Sequence, residues 1–245
     1  MKGVSKSFGR SSVLAPFDLS IEPGERVAMI GPSGAGKTTL LRMIAGAIEP
    51  SSGTIYLHGR ALASMRPGHD LARRVGMVAQ QFDLVPNLSA LHNTLAGRLG
   101  EWGVVRSLVS LVWPSDRAQG LAALARVGVQ DLAYHRAGRL SGGEQQRVAI
   151  ARLLVQDPRI ALADEPVASL DPARADEVLR LLVAVTEEAR ETLIASIHTV
   201  ELAKRYFGRA VGFRNGVMQF DLPTAQLTNE RLDALYELGG RDSAL

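Results

Sequence analysis

Gly31-Pro32-Ser33-Gly34-Ala35-Gly36-Lys37-Thr38 constrains this chain more than any other stretch. It fits G-x-x-x-x-G-K-[ST], a loop whose glycines let backbone N–H groups turn inward on phosphate oxygens. The helix that must follow points its positive dipole end at the same anion. Lys37 supplies a charge for β/γ-phosphates, and the Thr38 hydroxyl suits Mg²⁺, with Thr39 following in the same turn. Average residue usage yields such a match on the order of once in 100 chains of this length. The flanks agree. Arg26–Ile30 is a short apolar run stopping at Gly31, as a buried strand does. Thr38–Ala45 carries Leu40, Leu41 and Ile44 at helical spacing and ends at Gly46.

The remaining pattern extends that unit. Gly53–Gly59 alternates Ile55 and Leu57 with Thr54, Tyr56 and His58, which predicts one half-buried strand. Val75–Ala79, Ile160–Ala163 and Thr192–Ile197 are further strand candidates. Residues 88 to 156 read as mostly helical, with Ala118–Val127 and Glu144–Val155 free of breakers. Asp171-Pro172 opens a helix with proline at its first position, continuing to about Ala189. Val211–Phe213 and Val217–Phe220 flank Asn215-Gly216, a strong short hairpin signal. Strands alternating with helices imply an α/β fold with a parallel sheet. The helical stretch from about 81 to 155 would be a lobe inserted in it, with core at about 1–80 and 156–245. No Pro/Gly-rich linker separates the two, so a single domain spanning 1–245 is expected.

Composition excludes several classes. The chain has 245 residues, 46% hydrophobic and 22% charged, enough for one sizeable core and too apolar for general disorder. The apolar runs reach only about half a dozen residues where a bilayer span needs about 20, and the N-terminus lacks an apolar signal region. With no cysteine there is no disulfide, iron–sulfur cluster or thiol catalysis, and a cytosolic compartment is the simplest expectation. The pI near 9.5 matches a nucleic-acid binder, but the net charge is only +3 and the basic residues are scattered. Backbone-phosphate binding wants a stripe, so no nucleic-acid partner is expected.

Two more motifs bear chemistry. Ile160-Ala161-Leu162-Ala163 ends in Asp164-Glu165, two acids at the carboxyl end of a strand, where open α/β sheets bind ligands. Asp164 would hold Mg²⁺, and Glu165 would orient or deprotonate an attacking water. Leu140-Ser141-Gly142-Gly143-Glu144 opens a helix with free N–H groups and a hydroxyl, a second anion site without a lysine. Ser141 alone would be an ordinary N-cap. Its place in the helical stretch is far from the phosphate loop, and two copies arranged head-to-tail would set one chain's Ser141 against the other's γ-phosphate.

With these motifs in order, the chain resembles the ATP-binding subunits of ABC transporters, whose signature the LSGGE run matches. The resemblance spans nearly the whole chain. It implies a P-loop NTPase fold: a RecA-like parallel core with an antiparallel β edge and an inserted helical lobe. It implies ATP and Mg²⁺ as ligands. Gln80 matches the glutamine that senses Mg²⁺ and the membrane subunit, although Gln81 follows it. Ser169-Leu170-Asp171 matches a dimer-interface loop. His198 matches the histidine that contacts the γ-phosphate, and Phe8 the aromatic that stacks on adenine. The resemblance also implies a homodimer, separate transmembrane permease subunits, indirectly a solute-binding protein, and a peripheral place on the cytoplasmic face of the cell membrane. On spacing alone His198 would be a core histidine and Phe8 a core aromatic.

A finer resemblance is to the ATPase subunits of phosphonate (or phosphite) importers. It rests on Gly97–Gly100, Trp102, Arg106–Leu108, Arg126–Gly128, Ala163–Asp171 and Asn229–Tyr236, with a long insert around 97–117. Importers of another small solute, a non-transport ABC ATPase and a P-loop kinase are the other readings. There are two departures. Relatives usually carry a strand before the aromatic loop, whereas Met1 stands seven residues before Phe8, so that strand is expected to be missing or upstream. Ala79 stands where many relatives have Phe.

Overall fold

The structure is a computed structural model that describes residues 1–66, 68–100, 116–168 and 170–236. The readings at Ser169, Trp102 and Arg106–Leu108, and most of the insert, lie outside these residues. The chain opens with β1 (Lys2–Phe8) and β2 (Ser11–Phe17), then β3 (Arg26–Ile30) and α1 (Lys37–Ile44). β4 (Ser52–Thr54), β5 (Tyr56–Leu57), β6 (Arg60–Ala61), α2 (His69–Ala72) and β7 (Val75–Val78) follow. Next come α3 (Ala90–Leu95), α4 (Arg117–Arg126), α5 (Gly142–Gln156), β8 (Ile160–Ala163) and α6 (Pro172–Glu188). β9 (Thr192–Ser196), α7 (Val200–Tyr206), β10 (Arg209–Arg214), β11 (Val217–Pro223) and α8 (Asn229–Tyr236) complete it.

The main sheet has the order β11-β10-β3-β9-β8-β7 and is parallel except for β11. Its central strands are buried on both faces, and the period of two decides which residue goes where. Ala28 and Ile30 join Ala161, Ala163, Leu193 and Ala195 in a core shared with α3, α4, α5 and α6. Val27 and Met29 face the other way, toward Leu162, Ile194, Val211 and Phe213, where α1 contributes Leu40, Leu41 and Met43. A second sheet, β2-β1-β4, closes this opposite core with Val4, Leu14 and Phe17. Asn215 (φ 48°) and Gly216 (φ 76°) turn the β10–β11 hairpin, both left-handed as a two-residue loop of that kind requires.

Two expectations are corrected. The strand before the aromatic loop is present: β1 pairs antiparallel with both β2 and β4. It hides in the sequence because only Val4 of its seven residues is buried. Gly53–Gly59 is not one strand. Thr54 pairs with β1, Tyr56 and Leu57 pair with β6, and Ile55 between them is buried in the core. The alternation was real, but the backbone changes sheets at Ile55. Among the described residues no helix is long and apolar enough to cross a membrane.

Glu191, between α6 and β9, is only 7% exposed. Burial, reinforced by Asp157, pushes its carboxyl from an ordinary 4.5 up to about 8. A carboxyl with a raised folded pKa lends full stability below its unfolded pKa and loses it as pH climbs through the folded one. Glu191→Gln should therefore match its parent near pH 4.5 and gain on it up to about pH 8. At 1.36 kcal/mol per unit the gain is at most on the order of 5 kcal/mol. Urea unfolding from pH 5 to 8.5 checks it; parallel stability curves would refute the assignment.

Candidate active site

The parallel strands β3, β7, β8 and β9 deliver four loops to one edge. Gly31–Thr38 leaves β3, Gln80 follows β7, Asp164 and Glu165 follow β8, and His198 follows β9. This carboxyl edge is where open α/β sheets collect ligands. Pro32, Ser33, Gly34 and Ala35 form the bend, braced by the Ala35 N–H donating to Pro32 O at 3.2 Å. Gly36 (φ 99°) is the N-cap of α1, and no side chain caps the helix. The N–H groups of Lys37, Thr38 and Thr39 in the first turn have no intrahelical partner by construction, which suits them to an anion.

Lys37 is 4% exposed. Its ammonium donates to Gly31 O at 2.7 Å and Pro32 O at 2.9 Å, leaving the third N–H for a ligand. Burial lowers the Lys37 pKa, while Glu165 and Asp164 oppose that shift. Asp164 is 2% exposed, and one of its oxygens, Oδ1, accepts from Thr38 Oγ1 at 3.1 Å and Ser196 Oγ at 2.8 Å. Thr38 and Asp164 thus juxtapose two hard oxygen donors, the set Mg²⁺ prefers when substrate phosphates supply the rest.

Glu165 is the hub. Gln80 Nε2 donates to Glu165 Oε2 at 2.9 Å, and His198 Nε2 lies 2.6 Å from Oε1. Gln80, not Gln81, makes this contact. Glu165 sits at φ 48°, a left-handed conformation that costs a non-glycine residue of order 1–3 kcal/mol and clusters at functional sites. Its N–H donates to Ser196 Oγ at 2.7 Å.

The other expected residues stand apart. Ser141 caps α5 in a capping box: the Glu144 N–H donates to Ser141 Oγ at 3.4 Å, and the Ser141 N–H to Glu144 Oε2 at 2.7 Å. A Cβ added at Gly142 or Gly143 would meet nothing within 4 Å, so this turn is open. Asp171 caps α6, accepting from the Arg174 N–H at 3.1 Å. Phe8 is 52% exposed beneath the Lys6 ammonium, 4.9 Å from its ring centroid.

Sequence reasoning missed two residues. Ser196 is one polar residue in a buried strand, with no motif to mark it. Arg152, on the helix that Ser141 caps, donates to Asp83 O and Phe82 O at 2.7 Å each. Phe82 (φ 59°) and Asp83 (φ 45°) are both left-handed. The guanidinium thereby ties α5 to the loop that follows Gln80.

Comparisons with known proteins identify the family. Residues 14–168 match the family described as ABC transporter. The phosphonates import ATP-binding protein PhnC 1 of Nostoc sp. (strain PCC 7120) is 43% identical over 240 residues, covering 96% of this chain and 91% of that protein. The phosphonates import ATP-binding protein PhnC of Pseudomonas putida is 45% identical over 236 residues, covering 96% and 88%. Among solved structures, a dimeric post-hydrolysis state of the ATP-binding cassette MJ0796 bound to ADP and Pi aligns with a TM-score of 0.79 at 29% identity, covering 91% of this chain and 97% of that one.

Proposed function

The chain belongs to the ABC transporter family, and from that premise we propose that it is the ATP-hydrolysing subunit of an importer for phosphonate or phosphite. The observation that carries the hydrolytic reading is the mounting of Glu165: Gln80 and His198 grip its carboxylate beside the phosphate loop. The substrate reading rests on the names of the relatives.

Gly31 to Gly36 cradle the phosphates, with Lys37, Thr38 and Thr39 presenting N–H groups and the ammonium neutralising β/γ oxygens. Thr38, Asp164 and Gln80 would hold Mg²⁺, which would offset charge on those oxygens. Glu165 takes the proton of the water attacking the γ-phosphorus as the β–γ bridging bond breaks. His198 fixes the Glu165 carboxylate and faces the transferring group. Phe8 stacks on adenine; its exposed ring is compatible with that, and base stacking is worth roughly 1–3 kcal/mol. Residues 1–80 and 156–245 act as the core and 81–155 as the inserted lobe.

Ser141, Gly142, Gly143 and Glu144 serve a second copy. Their bonds stay within their own helix turn and the turn is open, which supports a partner chain's γ-phosphate as their target. Asp171 would lie at the same interface. The likeness to a dimeric cassette is consistent with this. Separate permease subunits and, through them, a solute-binding protein complete the system on the inner membrane's cytoplasmic face.

Deleting the gene should abolish growth on alkylphosphonates or phosphite as sole phosphorus source and spare growth on phosphate. Unchanged growth on both, with lost uptake of an amino acid or another oxyanion, would move the assignment to a different importer. ATPase activity stimulated by nucleic acid, or phosphate transfer to a small acceptor, would overturn the transport reading.

A further inference from the structure

Ser196 carries no assigned role, yet its hydroxyl touches both acids of the site. It is fully buried at the end of β9. A hydroxyl has one proton to give and lone pairs to receive. Here the proton goes to Asp164 Oδ1 at 2.8 Å, and a lone pair receives the Glu165 N–H at 2.7 Å. β9 lies between β3 and β8, with Ser196 paired to Met29 and Ala195 to Ala163. The hydroxyl is thus presented from a strand fixed on both sides, not from a loop.

Two consequences follow. Asp164 Oδ1 is occupied by Ser196 and Thr38 together, so the carboxylate is held in one rotation with Oδ2 as its remaining acceptor. Glu165, meanwhile, holds a left-handed backbone conformation (φ 48°) that a glutamate does not choose unaided. Ser196 anchors its N–H, while Gln80 and His198 anchor its carboxylate. Without the hydroxyl, that N–H and one Asp164 lone pair lose their partner in a buried place, and the carboxylate can turn away from the attacking water. Small misplacements of a reacting group are expensive in rate.

We propose that Ser196 is a positioning residue of the hydrolytic step, one hydroxyl setting the mutual orientation of Asp164 and Glu165. This rests on the reading of those two residues as the metal-holding and water-activating acids.

The test compares Ser196→Thr, which keeps the hydroxyl, with Ser196→Val, which matches threonine in shape without it, in the full chain with Mg-ATP. Ser196→Ala and Glu165→Gln run alongside. Ser196→Val and Ser196→Ala should each lower kcat about tenfold or more with the KM for ATP within about twofold, and Ser196→Thr should stay within about threefold of the parent in kcat. A merely structural serine would not split kcat from KM, nor separate threonine from valine. Turnover of the valine and alanine variants within twofold of the parent, or a threonine variant as slow as valine, would overturn the proposal. If Glu165→Gln itself turned over normally, the fault would lie with the assignment of Glu165. If Glu165→Gln were inactive while the valine variant stayed fast, only the role of Ser196 would fall.

Discussion

Glu165→Gln is expected to lower ATP turnover by about 10²–10⁴-fold, the usual contribution of a positioned general base, while nucleotide affinity stays within about twofold. The separation follows from the geometry. Glutamine has the shape of glutamate, and its amide can still accept from Gln80 Nε2 through oxygen and donate to His198 Nε2 through nitrogen. Those are the contacts that hold the wild-type side chain at 2.9 and 2.6 Å. The mount survives and the basic lone pair does not. Lys37 donates to Gly31 and Pro32, and Asp164 accepts from Thr38 and Ser196, none of these bonds involving the Glu165 side chain, so the hydrogen bonds of the phosphate cradle should be undisturbed. Phosphate release and binding of a fluorescent ATP analogue on the same preparation check both halves. With hydrolysis blocked, saturating Mg-ATP should also accumulate a dimer on size-exclusion chromatography. Undiminished turnover would remove Glu165 from its role. A chain that remained monomeric would remove the head-to-tail reading of Ser141.

What the sequence made legible was local. The phosphate loop, the acids after Ile160–Ala163 and the Asn215-Gly216 hairpin are contiguous signals, and each lies where its pattern pointed. What it concealed was set by partners distant along the chain. β1 is polar enough to pass for a tail, because its pairing with β2 and β4 buries little besides Val4. The split of Gly53–Gly59 depends on which neighbour each half finds, and alternation alone is blind to that. Ser196 and Arg152 look like ordinary members of a buried strand and an amphipathic helix. Only the parallel register brings Ser196 to Asp164, and only the packing of α5 brings Arg152 to Phe82 and Asp83. Ser141 shows a different limit. One chain already employs it as a helix cap, so the sequence pattern reads as an ordinary cap, and only the open turn at Gly142 and Gly143 leaves room for a second task.

Gly31→Ala should be the most destabilising single substitution in the phosphate loop, costing about 3–5 kcal/mol. The motif explains a glycine there as freedom to face a phosphate, and the fold adds a harder reason. A Cβ at Gly31 would stand 2.0 Å from the carbonyl oxygen of Phe213, where no real contact exists, and Gly31 lies at φ 146°. Neither side can yield. Phe213 is fully buried in β10, its ring packed edge-on against Phe17 at 5.5 Å, and β10 is hydrogen-bonded to β3 on one side and β11 on the other. Relief would require moving a strand of the central sheet, the kind of clash behind exceptional point-mutant losses. Gly34→Ala is the control. Gly34 is also left-handed, at φ 80°, but its Cβ would meet nothing within 4 Å. It should cost only the conformational penalty of about 1–2 kcal/mol. Folded domains of this size carry roughly 5–15 kcal/mol in total and lose about 2–4 °C of Tm per kcal/mol. Gly31→Ala should therefore lower the melting midpoint by about 10 °C or yield no soluble protein, with Gly34→Ala nearer 4 °C. Equal midpoints for the two variants would mean that backbone conformation alone, and not the approach to β10, demands glycine at position 31.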